Sequence, residues 1–193
     1  DRTSRGLGDV YKRQVLDTLF IPIITTVAGY GIAGYDGDNG LAINAKLNKP
    51  YAVIVDSEKN IFVAERSNNI IRRISNKGII TTFAGTGVSG YSGDCHCCKE
   101  ATFSLPVCLA FDSKENLYIG DGLNYAIRRI NKNSDIIETI VGNGKCGISD
   151  DGILASLSSI GGTSIAFDQN DNLYIADTKN CLLYTSDAAD DWS

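Results

Sequence analysis

The tract Cys95-His96-Cys97-Cys98 is the most chemically loaded stretch of the sequence. Cys95 and Cys98 have the spacing that can place two thiolates on one metal ion, with His96 between them as a further donor. A structural zinc site needs four ligands, ordinarily a second pair at similar spacing, and Cys108 and Cys146 stand singly. Cys95, His96 and Cys98 therefore read as loop residues, with no metal or cofactor expected. A second tract, Asp36-Gly37-Asp38-Asn39-Gly40, offers the oxygen ligands that calcium prefers. An EF-hand loop starting at Asp36 would need Gly at its sixth position and Glu at its twelfth, and these are Leu41 and Leu47, so that motif fails.

The remaining candidates are arginine pairs and acidic, tyrosine-bearing loops. Arg72–Arg73 and Arg128–Arg129 could contact phosphate. They fall on the third strand, where neighbouring side chains point to opposite faces. Their stems would lie between blades with their heads near Glu65 and Asp121, which makes structural ion pairing the expectation. The loops about 29–50, 85–106 and 142–162 carry GYDGD, GYSGD and GISDD. They would present Tyr35, Asp36, Asp38, Tyr91, Asp94, Asp150 and Asp151 on one face, a set able to recognise a polar or basic partner. Ordinary turn geometry accounts for the Gly and Asp residues as well, since the loop recurs. No catalytic constellation emerges.

The elements that must position these residues come as a repeat. Asp56, Asp112 and Asp168 lie 56 residues apart, as do Asn60, Asn116 and Asn172, and again Asn68, Asn124 and Asn180. Residues 51–74, 107–130 and 163–180 align, each preceded by a variant of Ile-Ile-Thr-Thr-Phe-Ala-Gly (23–31, 79–87 and 136–144). Each unit reads as four short strands, in the first unit roughly 51–56, 61–65, 70–75 and 79–84, rich in β-branched and aromatic residues and bounded by turn formers. DSEKN, DSKEN and DQNDN make tight hairpins between the first two strands. Short apolar runs, recurrent Gly and the lack of a 3.6-residue period disfavour helix. The fold class is all-β: a β-propeller fragment of about three four-stranded antiparallel blades.

On these strings the sequence resembles NHL repeats of the long-loop kind, as in bacterial surface proteins and the teneurin propeller. The match covers about 23–180, as repeats of about 23–78, 79–135 and 136–180. It implies a parent ring of, usually, six blades and favours an extracellular or cell-surface setting, while the regular repeat and the lack of a catalytic set point to a non-catalytic scaffold that binds protein, peptide or glycan. The third unit departs from the pattern, with GISDDG in its loop and no Pro before its first strand. Two rivals follow from related propellers. An amidating-lyase-like enzyme relies on several histidines, whereas this chain has His96 alone. An RNA-binding NHL domain is disfavoured by the acidic balance, a net charge of −5.

Both ends look foreign. Residues 181–191, CLLYTSDAADD, and 4–14, SRGLGDVYKRQ, resemble translations of the two strands of a sequencing-library transposase adaptor. Residues 1–14 and 181–193 are accordingly set apart from the propeller segment 15–180. The repeat breaks at the same place, because Ile71–Ile74 and Ile127–Ile130 have no third counterpart and Leu183-Tyr184-Thr185-Ser186 stands there. Residues 15–22 match no repeat, and Ile23–Ala28 reads either as a strand that closes the last blade of a ring or as the end of a divergent preceding blade. No apolar run approaches the length of a membrane span. Three blades leave two uncovered faces and unpaired edges, so the segment by itself is expected to be oligomeric or poorly soluble.

Overall fold

The computed structural model describes residues 23–186, with the side chain of Thr163 left aside. The readings made for residues 1–22 and 187–193 lie outside the described residues.

Three antiparallel sheets follow one another along the chain. The first joins β1 (Pro50–Val55), β2 (Ile61–Glu65), β3 (Ile70–Ile74) and β4 (Ile80–Ala84) in that order. The second adds the two-residue β5 (His96–Cys97) outside β9 (Ile136–Val141), followed inward by β8 (Ala126–Ile130), β7 (Leu117–Asp121) and β6 (Pro106–Phe111). The third holds β10 (Thr163–Phe167), β11 (Leu173–Asp177) and β12 (Leu182–Ser186). The first strands lie side by side, β1 against β6 and β6 against β10, and the sheets stack as blades of a partial β-propeller. Among the described residues, no helix is long and apolar enough to cross a membrane.

The strands form where the sequence indicates, because each alternates residues packed against the two neighbouring blades. Within each blade the Asp-to-Asn hairpin is a small closed unit. Asp56 accepts from the Asn60 N–H and Nδ2 at 2.7 Å each, and Asp112 and Asp168 repeat the arrangement with Asn116 and Asn172. The sheets are offset from the sequence repeat by one strand: the Ile-Ile-Thr-Thr segment that opens each later repeat closes the preceding sheet.

Blades one and two share two irregularities, of which one is a bulge between the third and fourth strands, at Ile71–Arg72 and Ile127–Arg128. The other is a bulge in the first hairpin, between Pro50 and Ala52 and between Pro106 and Cys108. In blade three, where no Pro stands, Thr163–Phe167 pairs with Leu173–Asp177 without a shift. The third strand of that blade is built from Leu182–Ser186, the residues read from sequence as foreign.

The long loops do not merely cross the surface. The first two pair with the outer strand of the next blade, Leu41 with Ile79 and His96–Cys97 with Ile136–Ile137, and the second and third pass inward between blades. Cys98, Ala101 and Phe103 join Phe62, Ala64, Ile71 and Ala84 of blade one and Leu117, Ile119, Ile130 and Ile137 of blade two in one core. Ile160 takes the corresponding place between blades two and three, while Ala42 and Ala45 lie on Val63, Ile74 and Ile80. Each buried aliphatic side chain in these seams contributes about 1.5–3 kcal/mol. The crossings are tight enough to require glycine. Gly142 sits at φ +100°, where a Cβ would fall 2.2 Å from the Tyr125 carbonyl oxygen.

A loop face built on buried arginine latches

The candidate face is organised by one buried acid per blade, at the end of its second strand. Glu65, Asp121 and Asp177 are all shielded from solvent. Each accepts a backbone N–H from the incoming loop: Asn48 to Glu65 at 3.0 Å, Ser104 to Asp121 at 2.7 Å, and Gly161 to Asp177 at 3.0 Å. The amides of Asn68, Asn124 and Asn180 bond the same acids. They also donate to the loop carbonyls of Gly34, Gly90 and Gly147 at 2.9, 2.7 and 2.7 Å. This explains the recurrent Asn seen in the sequence: it ties the turn after the second strand to the loop.

In blades one and two a guanidinium completes the latch. Arg72 and Arg128 are fully buried and lie 3.3 Å from Glu65 and 3.5 Å from Asp121. From the other side Asp38 reaches Arg72 at 2.7 Å, and Asp94 reaches Arg128 at 2.6 Å. The rings of Tyr35 and Tyr91 cover these guanidinium groups at 5.2 and 5.0 Å, and their hydroxyls bond Thr82 and Thr139 at 2.8 Å. The expected ion pairing of the inward arginines is therefore present. The second arginine of each pair faces the opposite way, and Arg129 pairs with Glu138. Burial pushes the Asp121 carboxyl up to about 6, against the pull of the Ser104 N–H, the Asn124 amide and Arg128. The same cause raises Glu65.

Blade three keeps the acid and loses the cation. Tyr184 pairs with Ile175 as Arg72 pairs with Val63 and Arg128 with Ile119. Its hydroxyl is shielded beside the Ser149 backbone, and Asp177 has no guanidinium beside it among the described residues.

The structure thus brings Tyr35 and Asp38 together on Arg72, and Tyr91 and Asp94 on Arg128. Asp36 is engaged differently: the Lys46 backbone N–H at 2.7 Å and then the Lys46 ammonium at 3.1 Å hold it below its ordinary value. Asp150 and Asp151 are exposed on the third loop, and Asp151 lies near Tyr184. The outer surfaces of Tyr35 and Tyr91 remain about half exposed, and Ile148 occupies the corresponding point of the third loop. The stacking of Tyr35 and Tyr91 on the latch was not anticipated, although both stand at the same separation ahead of Arg72 and Arg128.

The cysteine tract is split by its position. Cys95, His96 and Cys97 are exposed, whereas Cys98 is buried in the seam between blades one and two and donates to the Phe83 carbonyl at 3.5 Å. Burial, foremost, pushes its thiol up to about 12. Cys95 precedes the short strand β5 and Cys98 follows it in a 3-10 turn, so the two thiols lie in different environments. Among the described residues no group of three His, Cys, Asp or Glu is placed to hold a metal.

No protein-family model matches the chain, and no curated protein matches it. Solved structures do. A Bacteroides thetaiotaomicron protein of unknown function aligns at 20% identity with a TM-score of 0.65, covering 75% of this chain and 37% of that one. An auxiliary nutrient binding protein from Bacteroides ovatus aligns at 15% identity with a TM-score of 0.61, over 76% of this chain and 40% of that one. Another auxiliary nutrient binding protein, from Bacteroides thetaiotaomicron, gives 18% identity, a TM-score of 0.57 and coverages of 69% and 36%. The chain spans well under half the length of each. At these identities the likeness is one of fold, and the chain is an all-β arc of three propeller blades.

Proposed function

We propose that the chain is a non-catalytic propeller module of the NHL-repeat kind that holds a protein, peptide or glycan against its loop face. The observation that carries this reading is a changing surface on a repeated foundation. Beneath each loop the Asn-to-carbonyl tie is the same. Above it the exposed position reads Tyr35, Tyr91 and Ile148, and the residue after it reads Asp36, Ser92 and Ser149. Rings beside carboxylates suit the face of a sugar or a basic peptide side chain, and loops set on a rigid scaffold are a common site of recognition. Two of the similar solved structures carry nutrient binding in their names, which accords with a binding role while resting on fold likeness alone.

The same reading takes residues 1–14 and 181–193 as adaptor-derived and Leu182–Ser186 as standing in for an Ile-Arg-Arg-Ile strand. The buried Asp177, with Tyr184 at the register position that Arg72 and Arg128 hold in the other blades, supports it.

The test is binding of the purified chain to arrays of neutral and acidic oligosaccharides and of Lys- and Arg-rich peptides, repeated with Asp150→Asn/Asp151→Asn and with Ile148→Ala, all at exposed positions. Specific capture that the loop substitutions abolish at unchanged melting temperature is expected. Capture indifferent to both, or none from either array, refutes the assignment.

A further inference from the structure

We propose that two copies of this chain associate head to tail, each donating its segment Ile24–Ala28 as the missing fourth strand beside β12 of the other. Blade three ends at β12, whereas β4 lies beyond β3 and β9 beyond β8 in the other blades. Among the described residues no strand lies on the outer side of Leu182–Thr185. A bare edge of this kind is a template for another chain.

The donor is present at the other end. Ile24-Thr25-Thr26-Val27-Ala28-Gly29 repeats Ile80-Thr81-Thr82-Phe83-Ala84-Gly85 at every position except Val27. It forms no strand, and Ile24 is 100% exposed where Ile80 is fully buried. Its exit is already set in the paired geometry. Gly29 has φ +83° and its N–H reaches the Ala42 carbonyl at 2.9 Å, as Gly85, at φ +94°, reaches Cys98 at 3.0 Å. In the register of β3 with β4, Leu183 would face Ala28, Tyr184 would face Thr26 and Thr185 would face Thr25, with Val27 at the bulge that Phe83 occupies.

The flanking faces match the seams inside the chain. Val53 and Val55 of blade one are 66% and 55% exposed, while their counterparts Leu109 and Phe111 pack against blade one's own core. At the far end Tyr174 and Leu183 are exposed, while their counterparts Tyr118 and Ile127 are buried under blade three. The outer face of blade three and the near face of blade one are therefore the two halves of a contact the chain makes twice internally. One latch does not carry over: Ser57 and Ser113 donate their N–H to Glu115 and Asp171 of the next blade, and across the junction Gln169 would meet Lys59. The association is accordingly weaker than the internal seams. Three blades from each copy, joined through two identical junctions, close as a symmetric pair.

Sedimentation of the full chain at micromolar concentration tests this. A dimer is expected. Thr25→Pro/Thr26→Pro removes the donated ladder, and Val53→Asp places a charge in the seam; each should raise the dissociation constant by about a hundredfold or more. Both changes fall on exposed sites, so circular dichroism of the monomer should be unchanged. A monomeric parent, a dimer that survives both variants, or open-ended polymers in place of a dimer would overturn the proposal.

Discussion

Replacing Tyr184 by Arg should stabilise the chain, because blade three carries a latch without its cation. Asp177 is buried and accepts from neutral donors, the Gly161 N–H at 3.0 Å, the Asn180 side-chain amide at 2.8 Å and the Asn180 backbone N–H at 3.4 Å. Asp151 waits on the loop side, as Asp38 and Asp94 do beside Arg72 and Arg128. A guanidinium at this register position would gain two charge-assisted hydrogen bonds, each worth about 1.5–3 kcal/mol. Against that stand the partial burial of the tyrosine ring, about 1–2 kcal/mol, and the fixing of a long side chain, about 1–2 kcal/mol. The balance is a gain of about 1–2 kcal/mol, or roughly 3–6 °C in melting temperature for a domain of this size. Differential scanning calorimetry of Tyr184→Arg, Asp177→Asn and the double variant separates the ion pair from packing. The coupling between the two sites should reach about 1 kcal/mol. An unchanged or lowered melting temperature, or a coupling near zero, would refute the reasoning.

Other consequences can be checked alongside it. Arg128→Met should cost about 3–5 kcal/mol in chemical denaturation, because Asp121 stays buried without its counter-charge. Stability should rise as pH falls from about 7 towards 4.5, since Asp121 and Glu65 have folded values above their unfolded ones and the folded state binds the extra protons. Asp121 sets the scale at up to about 3 kcal/mol, gained in full below its ordinary carboxyl value. Below that range Glu115, held down to about 2 by Lys132 foremost, and the lowered Asp36 and Asp168 act in the opposite sense, their contribution fading as they protonate. Denaturant midpoints across this range, flattened by Asp121→Asn, would show it; an optimum at neutral pH would not fit. Thiol labelling of the native chain should modify Cys95 and Cys97 quickly and spare Cys98 until unfolding.

The period of Asp56, Asp112 and Asp168 and the run of β-branched residues made the blades legible, because strand pairing repeats with the sequence. Ion pairing of the arginine pairs near Glu65 and Asp121 was legible too, but alternation alone did not say that Arg72 and Arg128, rather than their neighbours, would make it. The loops were harder to read. Tyr35 and Asp38 look like surface residues in sequence, and only the fold shows them closing over a guanidinium 34 or more positions later in the chain. Cys98 likewise looked like part of an exposed tract until the loop was seen to dive between two sheets. Non-local contacts of this kind leave no periodic trace.

The loops ahead of blades one and two share a buried charge with the sheet that follows. Peeling such a loop away would strip Asp38 or Asp94 from its buried guanidinium and expose the pair it forms with Glu65 or Asp121, so the segment and its sheet should open as a single cooperative unit. A protease nicking the tip near Tyr91 would then cut a tethered surface turn without freeing the strands beneath. Loop positions that do not touch the guanidinium are thus where sequence can drift at little cost, while Tyr35, Asp38, Tyr91 and Asp94 stay fixed by the latch they close.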